Sequence, residues 1–229
     1  MKDKLRPLPK WLRLTLLLAF MGLLVFCLWL EADRPALSPK GALVKAEQIG
    51  LLERGTFLTC EFVFPDVSSH INYFPAVSRT KTRLHTCEVK REGLLWQPNE
   101  RALSVPLEDP VTALLLPWQV NIEENTTCYP AALVYCPEGA QVTATMTIGG
   151  KELPPKTFSG RTGKGDKGCF LVAFENLYFS TDNQLYLAVY QHLNFYYHRH
   201  IPMGAADITV ELTVFDQNGA VFAQKTLQY

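Results

Sequence analysis

Excess charge is the first thing this sequence lacks: across 229 residues, 22 Lys and Arg face 22 Asp and Glu. A chain without a basic excess has no electrostatic footprint for nucleic acid, so that class of partner is set aside. Hydrolase signatures are missing as well. No G-x-S-x-G elbow and no H-E-x-x-H pair occurs, and the five histidines have no obvious nucleophile partner. No tryptophan follows Trp118, so the second half lacks the cysteine–tryptophan–cysteine spacing of true immunoglobulin domains. The stretch Gly160–Gly168, GRTGKGDKG, lacks the lysine that a phosphate loop needs: Asp166 follows Gly165 and Cys169 follows Gly168. It reads as a flexible surface loop. These absences lead to the expectation of a non-enzymatic protein.

Apolar length, by contrast, is concentrated in one place. Leu14–Leu30 carries no charged residue, and only Thr15, Ala19 and Gly22 interrupt its bulky run. Such a stretch makes roughly 25 Å of helix, near the lower limit for spanning a bilayer. Trp11 and Trp29 lie near its ends, where amphipathic rings favour the headgroup level. Lys2, Lys4, Arg6, Lys10 and Arg13 precede it with Asp3 as their only acid, whereas Glu31 and Asp33 follow it. Basic residues resist translocation. The flanks therefore predict a cytoplasmic tail over 1–13 and a transmembrane signal-anchor over 14–30 in the plasma or inner membrane. The C-terminal domain is then periplasmic or extracellular. Cleavage after Ala32 would put Leu30 where a small residue is wanted, and a lipoprotein site at Cys27 has Phe26 before it.

The 199 residues after Leu30 carry 17 Lys and Arg against 21 Asp and Glu. Residues 31–41, EADRPALSPKG, read as a polar stalk, and Ala42–Leu52 leans to helix. Beyond it the pattern is mostly β. Thr56–Phe64 alternates, with Leu58, Cys60, Phe62 and Phe64 on one face. Residues 79–91 read as a second strand, with Arg79, Lys81, Arg83 and His85 on one face. That stripe is a possible face for an anionic partner, or the charged guard of an edge strand. Short strands broken by prolines fill 93–120, and Ala132–Cys136 is a short apolar one. Gln141–Ile148 alternates cleanly, and Gly149-Gly150 suggests a two-residue hairpin turn returning over Lys151–Phe158. Asp207–Phe215 and Ala220–Gln228 form a closing pair around Asp216-Gln217-Asn218-Gly219. Strands every 8–12 residues with turns between them predict an antiparallel β-sandwich over 42–229. It is Ig-like in architecture, as one large sandwich or two small ones with a possible boundary near 127–137.

Five cysteines lie after the apolar run: Cys60, Cys87, Cys128, Cys136 and Cys169. Cys60 with Cys87, and Cys128 with Cys136, are disulfide candidates, and Cys136 with Cys169 is the alternative. Asn125-Thr126-Thr127 is a glycosylation acceptor sequence, meaningful in a viral or eukaryotic surface glycoprotein. In Gln191–Met203, a strand would place His198 and His200 on one face, with Met203 nearby as a soft ligand. That set would suit copper, completed by His85, Cys169 or a carboxylate. Two functional readings follow besides that of a viral or eukaryotic surface glycoprotein. One is a membrane-anchored module that binds a protein partner in the envelope or at the surface. The other is extracytoplasmic copper binding or delivery.

Overall fold

The computed structural model describes residues 9–31, 35–64, 73–99, 102–122, 125–150, 155–175 and 206–229. Helix α1, Lys10–Glu31, takes up the apolar run, and none of its Lys10–Cys27 segment is buried in the protein. Leu17, Leu18, Phe20 and Val25 all face outward on it. It is long and apolar enough to cross a membrane. Helix α2, Pro39–Ile49, starts where Ser38 Oγ accepts from the Gly41 amide at 3.1 Å and Pro39 occupies the first turn. Its buried residues, Ala42, Leu43, Ala46 and Glu47, recur with helical spacing and make one face.

The strands among the remaining described residues pair antiparallel. In chain order the strands are β1 (Thr56–Thr59), β2 (Tyr73–Arg79), β3 (Arg83–Glu92), β4 (Leu95–Pro98), β5 (Leu103–Pro106), β6 (Thr112–Ile122), β7 (Asn125–Tyr135), β8 (Gln141–Gly150), β9 (Lys156–Ser159), β10 (Arg161–Lys164), β11 (Cys169–Ala173), β12 (Ala206–Phe215) and β13 (Val221–Gln228). They make three sheets. The first runs β1-β2-β3-β4 with β5 also on β3, the middle one β10-β11-β7-β6, and the last β13-β12-β8-β9.

Alternation along the strands decides how the sheets meet. Val142, Ala144, Met146 and Ile148 of β8, with Ile208, Val210, Leu212 and Val214 of β12, pack on one face of the middle sheet. That face supplies Leu115, Ala132, Val134, Phe170 and Val172. The opposite face, with Leu114, Leu116, Ala131, Leu133 and Leu171, packs on Leu58, Val77 and Leu84 of the first sheet. A third cluster joins the far face of the first sheet to α2 through Leu43, Ala46, Ala76, Cys87 and Val89. The middle sheet therefore buries both faces, and β11 is buried at every position. The stretch 127–137 falls largely within β7, a continuous strand of this shared sheet.

Several expectations are corrected. Residues 79–91 are two strands, because Thr80 Oγ1 accepts from the amides of Thr82 and Arg83 and turns the chain. Gly149-Gly150 is the end of β8, paired with Asp207 and Ala206, and does not make a two-residue turn. Ile148 pairs with Lys156 instead, so a longer connection joins β8 to β9. The glycine-rich stretch is largely β10 and its turn into β11.

The disulfide candidates do not form. None of Cys60, Cys87, Cys136 and Cys169 is in a disulfide. Strand β2 lies between the first two, since Thr59 pairs with Val77 and Ala76 pairs with Cys87. Cys128 lies within β7 and Cys136 just past its end, so eight residues of extended chain, about 26 Å, separate them. Cys136 and Cys169 sit on opposite faces of the middle sheet, one in each core.

Candidate functional site

The chain leaves the first sheet at the end of β1. Register with β2 slips between Phe57 and Thr59, and the strand then runs across to the middle sheet. There the Val63 amide donates to Lys164 O at 2.8 Å and the Lys164 amide donates back to Val63 O at 3.0 Å. This crossing carries Phe62 and Phe64 over β10, and glycine makes the room. A Cβ on Gly163 would lie 2.7 Å from the Phe64 ring, and one on Gly165 would lie 3.0 Å from the Phe62 ring. Phe64 stacks on Trp118 of β6, with ring centroids 5.1 Å apart and planes 13° apart. Its ring also lies under the Arg161 guanidinium, 5.2 Å from the centroid. Arg161 in turn pairs with Glu175. Trp118 continues the row to Tyr129, with centroids 6.4 Å apart.

Beside this row is a half-open pocket of about 220 Å³. The crossing segment from Cys60 to Phe64 forms one wall, Phe74 and Pro75 of β2 another, and Trp118 and Leu171 the floor. Glu61 is exposed and is the only carboxylate among the described residues of the lining. Burial, with smaller contributions from Glu61 and Asp166, pushes the Cys60 thiol up to about 11. It is therefore a neutral thiol near pH 7, not a nucleophile. Trp118 is buried, and its Nε1–H has no acceptor among the described residues. A buried donor of that kind is uncommon in a folded protein.

No family model, curated protein or solved structure matches this chain.

A second polar grouping lies on the other side of the first sheet. Glu47 of α2 is buried, and its Oε1 accepts from Ser78 Oγ at 2.5 Å, His85 Nδ1 at 3.1 Å and the Gly55 amide at 3.2 Å. Ser78 and His85 are cross-strand neighbours on β2 and β3. All three side chains are enclosed, and serine and histidine both address the carboxylate rather than each other. The arrangement fastens α2 to the sheet and leaves no nucleophile free to meet a substrate.

The sequence-derived candidates fall in different places. His85 is buried against Glu47, away from any exposed stripe. Arg79 Nη1 donates to Tyr135 Oη at 2.7 Å, and Arg83 Nη2 donates to Ser104 O at 2.9 Å. Lys81 is exposed in the turn between them. The three basic residues therefore flank a hairpin turn rather than lining one strand face. The Asn125 backbone opens β7 opposite Ile122. His198, His200 and Met203 lie outside the described residues. Among the described residues, no three His, Cys, Asp or Glu side chains are grouped to hold a metal ion. Cys169, considered as a further ligand, is buried in the core, and burial pushes its thiol up to about 12.

Sequence reasoning placed Phe62 and Phe64 on an inward face but missed their partner. Trp118 is far from them in the chain, and no spacing rule links the two. The glycines at 163 and 165 were the available signal. Two small residues at i, i+2 in a strand leave a channel on one face for something bulky.

Proposed function

We propose that this is a single-pass membrane protein whose exported, layered β-sandwich serves as a non-enzymatic docking module for a protein partner in the envelope or at the surface. The anchoring part of this reading is supported by α1, whose apolar residues find no burial within the protein, and by the basic residues before it. The sandwich reading is supported by the sheet faces that share the two apolar cores.

The observation that carries the docking role is the pocket beside Trp118. It is concave, half-open and lined mainly by aromatic and other apolar side chains. Energetic anchors in protein interfaces are large side chains that fill desolvated pockets of this kind.

The test is the native mass of the full-length protein, gently extracted from its own membrane. A protein partner bound in fixed stoichiometry is the expected result. A bare monomer, or turnover by the purified protein on an envelope substrate, overturns the docking reading. A copper-sized mass excess on a monomer would replace it with the copper reading.

A further inference from the structure

Trp29 Nε1 donates to Pro35 O at 3.1 Å, which ties the end of α1 to the first residues of the domain that follows. Ala36 then adds to the edge of β4. Its amide donates to Trp96 O and the Trp96 amide donates back to Ala36 O, both at 2.8 Å. This bridge is antiparallel, so the chain beyond Ala36 runs toward the two-residue turn, Gly93-Leu94, that joins β3 to β4. Gly93 has φ +62°, the left-handed conformation that such a turn asks of glycine.

Two leucines stand out here. Leu37 is 82% exposed and Leu94 is 81% exposed. Single exposed leucines are ordinary on a protein surface, but these two flank one bridge. Arg91 is their exposed basic neighbour. Its Nε donates to Gly93 O at 3.1 Å, and its guanidinium lies over the Trp96 ring, 5.7 Å from the centroid. Leucine beside a basic residue is what interfacial membrane segments present to lipid.

Position names the occupant. In the spanning reading of α1, on which this inference rests, Trp29 lies at the headgroup level. Pro35 O is bonded to that indole, and two residues more, at most about 7 Å of chain, reach Leu37. The polar layer of a bilayer is roughly 5–8 Å deep on each side, so Leu37 has the lipid surface within reach. A protein partner would have to compete with headgroups for the same ground.

We propose that Leu37 and Leu94 dip into the leaflet from which α1 emerges, so that the β3–β4 turn seats the exported domain on lipid. The membrane is then held at two places, by the span and by this turn, and the domain keeps a fixed tilt above it.

The experiment uses the full chain in phosphatidylcholine nanodiscs, labelled with 5-fluorotryptophan and read by ¹⁹F NMR with and without 5-doxyl phosphatidylcholine. Leu37→Trp and Leu94→Trp each add one resonance at an exposed position. Val221→Trp adds one in the last sheet, which packs on the far side of the middle sheet from the first. The Trp29 resonance is assigned from Trp29→Phe. The doxyl lipid should abolish the Leu37→Trp and Leu94→Trp signals together with that of Trp29, and leave the Val221→Trp signal sharp. If the Trp29 signal is lost while either leucine replacement stays as sharp as Val221→Trp, this proposal falls and the anchor stands. A Trp29 signal that stays sharp overturns the spanning reading and this proposal with it.

Discussion

Glu47 is the residue on which the attachment of α2 turns. Three donors converge on one of its oxygens, and the other oxygen is buried without a partner among the described residues. Glu47→Leu would leave the Ser78 and His85 donors stranded, and loss of about 3–5 kcal/mol is expected, as when one partner of a buried polar pair is removed. Adding Ser78→Ala and His85→Leu should recover part of that loss, because the stranded donors go as well. Urea unfolding of the three variants checks both directions, and a Glu47→Leu protein more stable than the parent would defeat the argument. The buried thiols make a second prediction at this scale. Burial raises Cys60 to about 11 and Cys169 to about 12 from an ordinary value of 9.0. Groups raised in the folded state favour folding fully below the unfolded value, so stability from these two is intact below about pH 9. It is lost as pH rises through 11 and 12, since the unfolded thiols ionise first. Alkaline denaturation should thus begin later in a Cys60→Ala, Cys169→Ala protein, once its lower starting stability is subtracted.

At the scale of elements, glycine sets the local geometry for two separate reasons. Gly168 has φ +76° and would place a Cβ 2.4 Å from Cys136 O, whereas Gly219 has φ +80° and open space around it. Gly219→Ala should lose about 1–2 kcal/mol for backbone conformation alone. Gly168→Ala should lose clearly more, because the collision is with backbone that cannot swing away. Thermal unfolding of the two variants side by side reads the difference. The same elements show what was legible in the sequence. Strands β8 and β12 bury one face, so Val142 to Ile148 and Ile208 to Val214 announce themselves by alternation. Strand β7 buries both, so its apolar run carries no period and only Ala132–Cys136 was recognisable, although the strand begins at Asn125. The turn at Thr80–Thr82 was hidden because it is closed by a threonine hydroxyl and contains neither glycine nor proline. Alternation alone therefore puts His85 on the basic stripe, whereas it is buried. The pocket was illegible for another reason: Phe64 and Trp118 meet only through the crossing between sheets, which depends on register.

The whole molecule is governed by the middle sheet and by α1. Because the middle sheet contributes to both cores, damage to either outer sheet should be felt by all of it. Met146→Ala in the last sheet and Leu84→Ala in the first remove buried side chains from different cores. Each should lose about 2–5 kcal/mol and shift one shared unfolding transition. Two separable transitions, each answering to only one substitution, would show that the sheets fold independently. For α1, a charge at the centre is the decisive change. Leu18→Arg should raise the free energy of insertion by about 3–4 kcal/mol. Carbonate extraction would then release a larger share of the variant than of the parent, and unchanged retention would argue against a spanning helix.

A sheet held from both sides also constrains how this sequence can change over time. Ala131 to Val134 point alternately into two cores, with none of the four exposed. No position there is free to accept a polar residue, and most have no room for a larger one. Along β8 and β12, every second residue is open to exchange, and on α1 almost any apolar residue would serve. Saturation mutagenesis should therefore trace intolerance without period along β7 and β11, with a period of two along β8 and β12. Relatives would keep the middle sheet's small and branched side chains long after their outer surfaces had diverged beyond recognition.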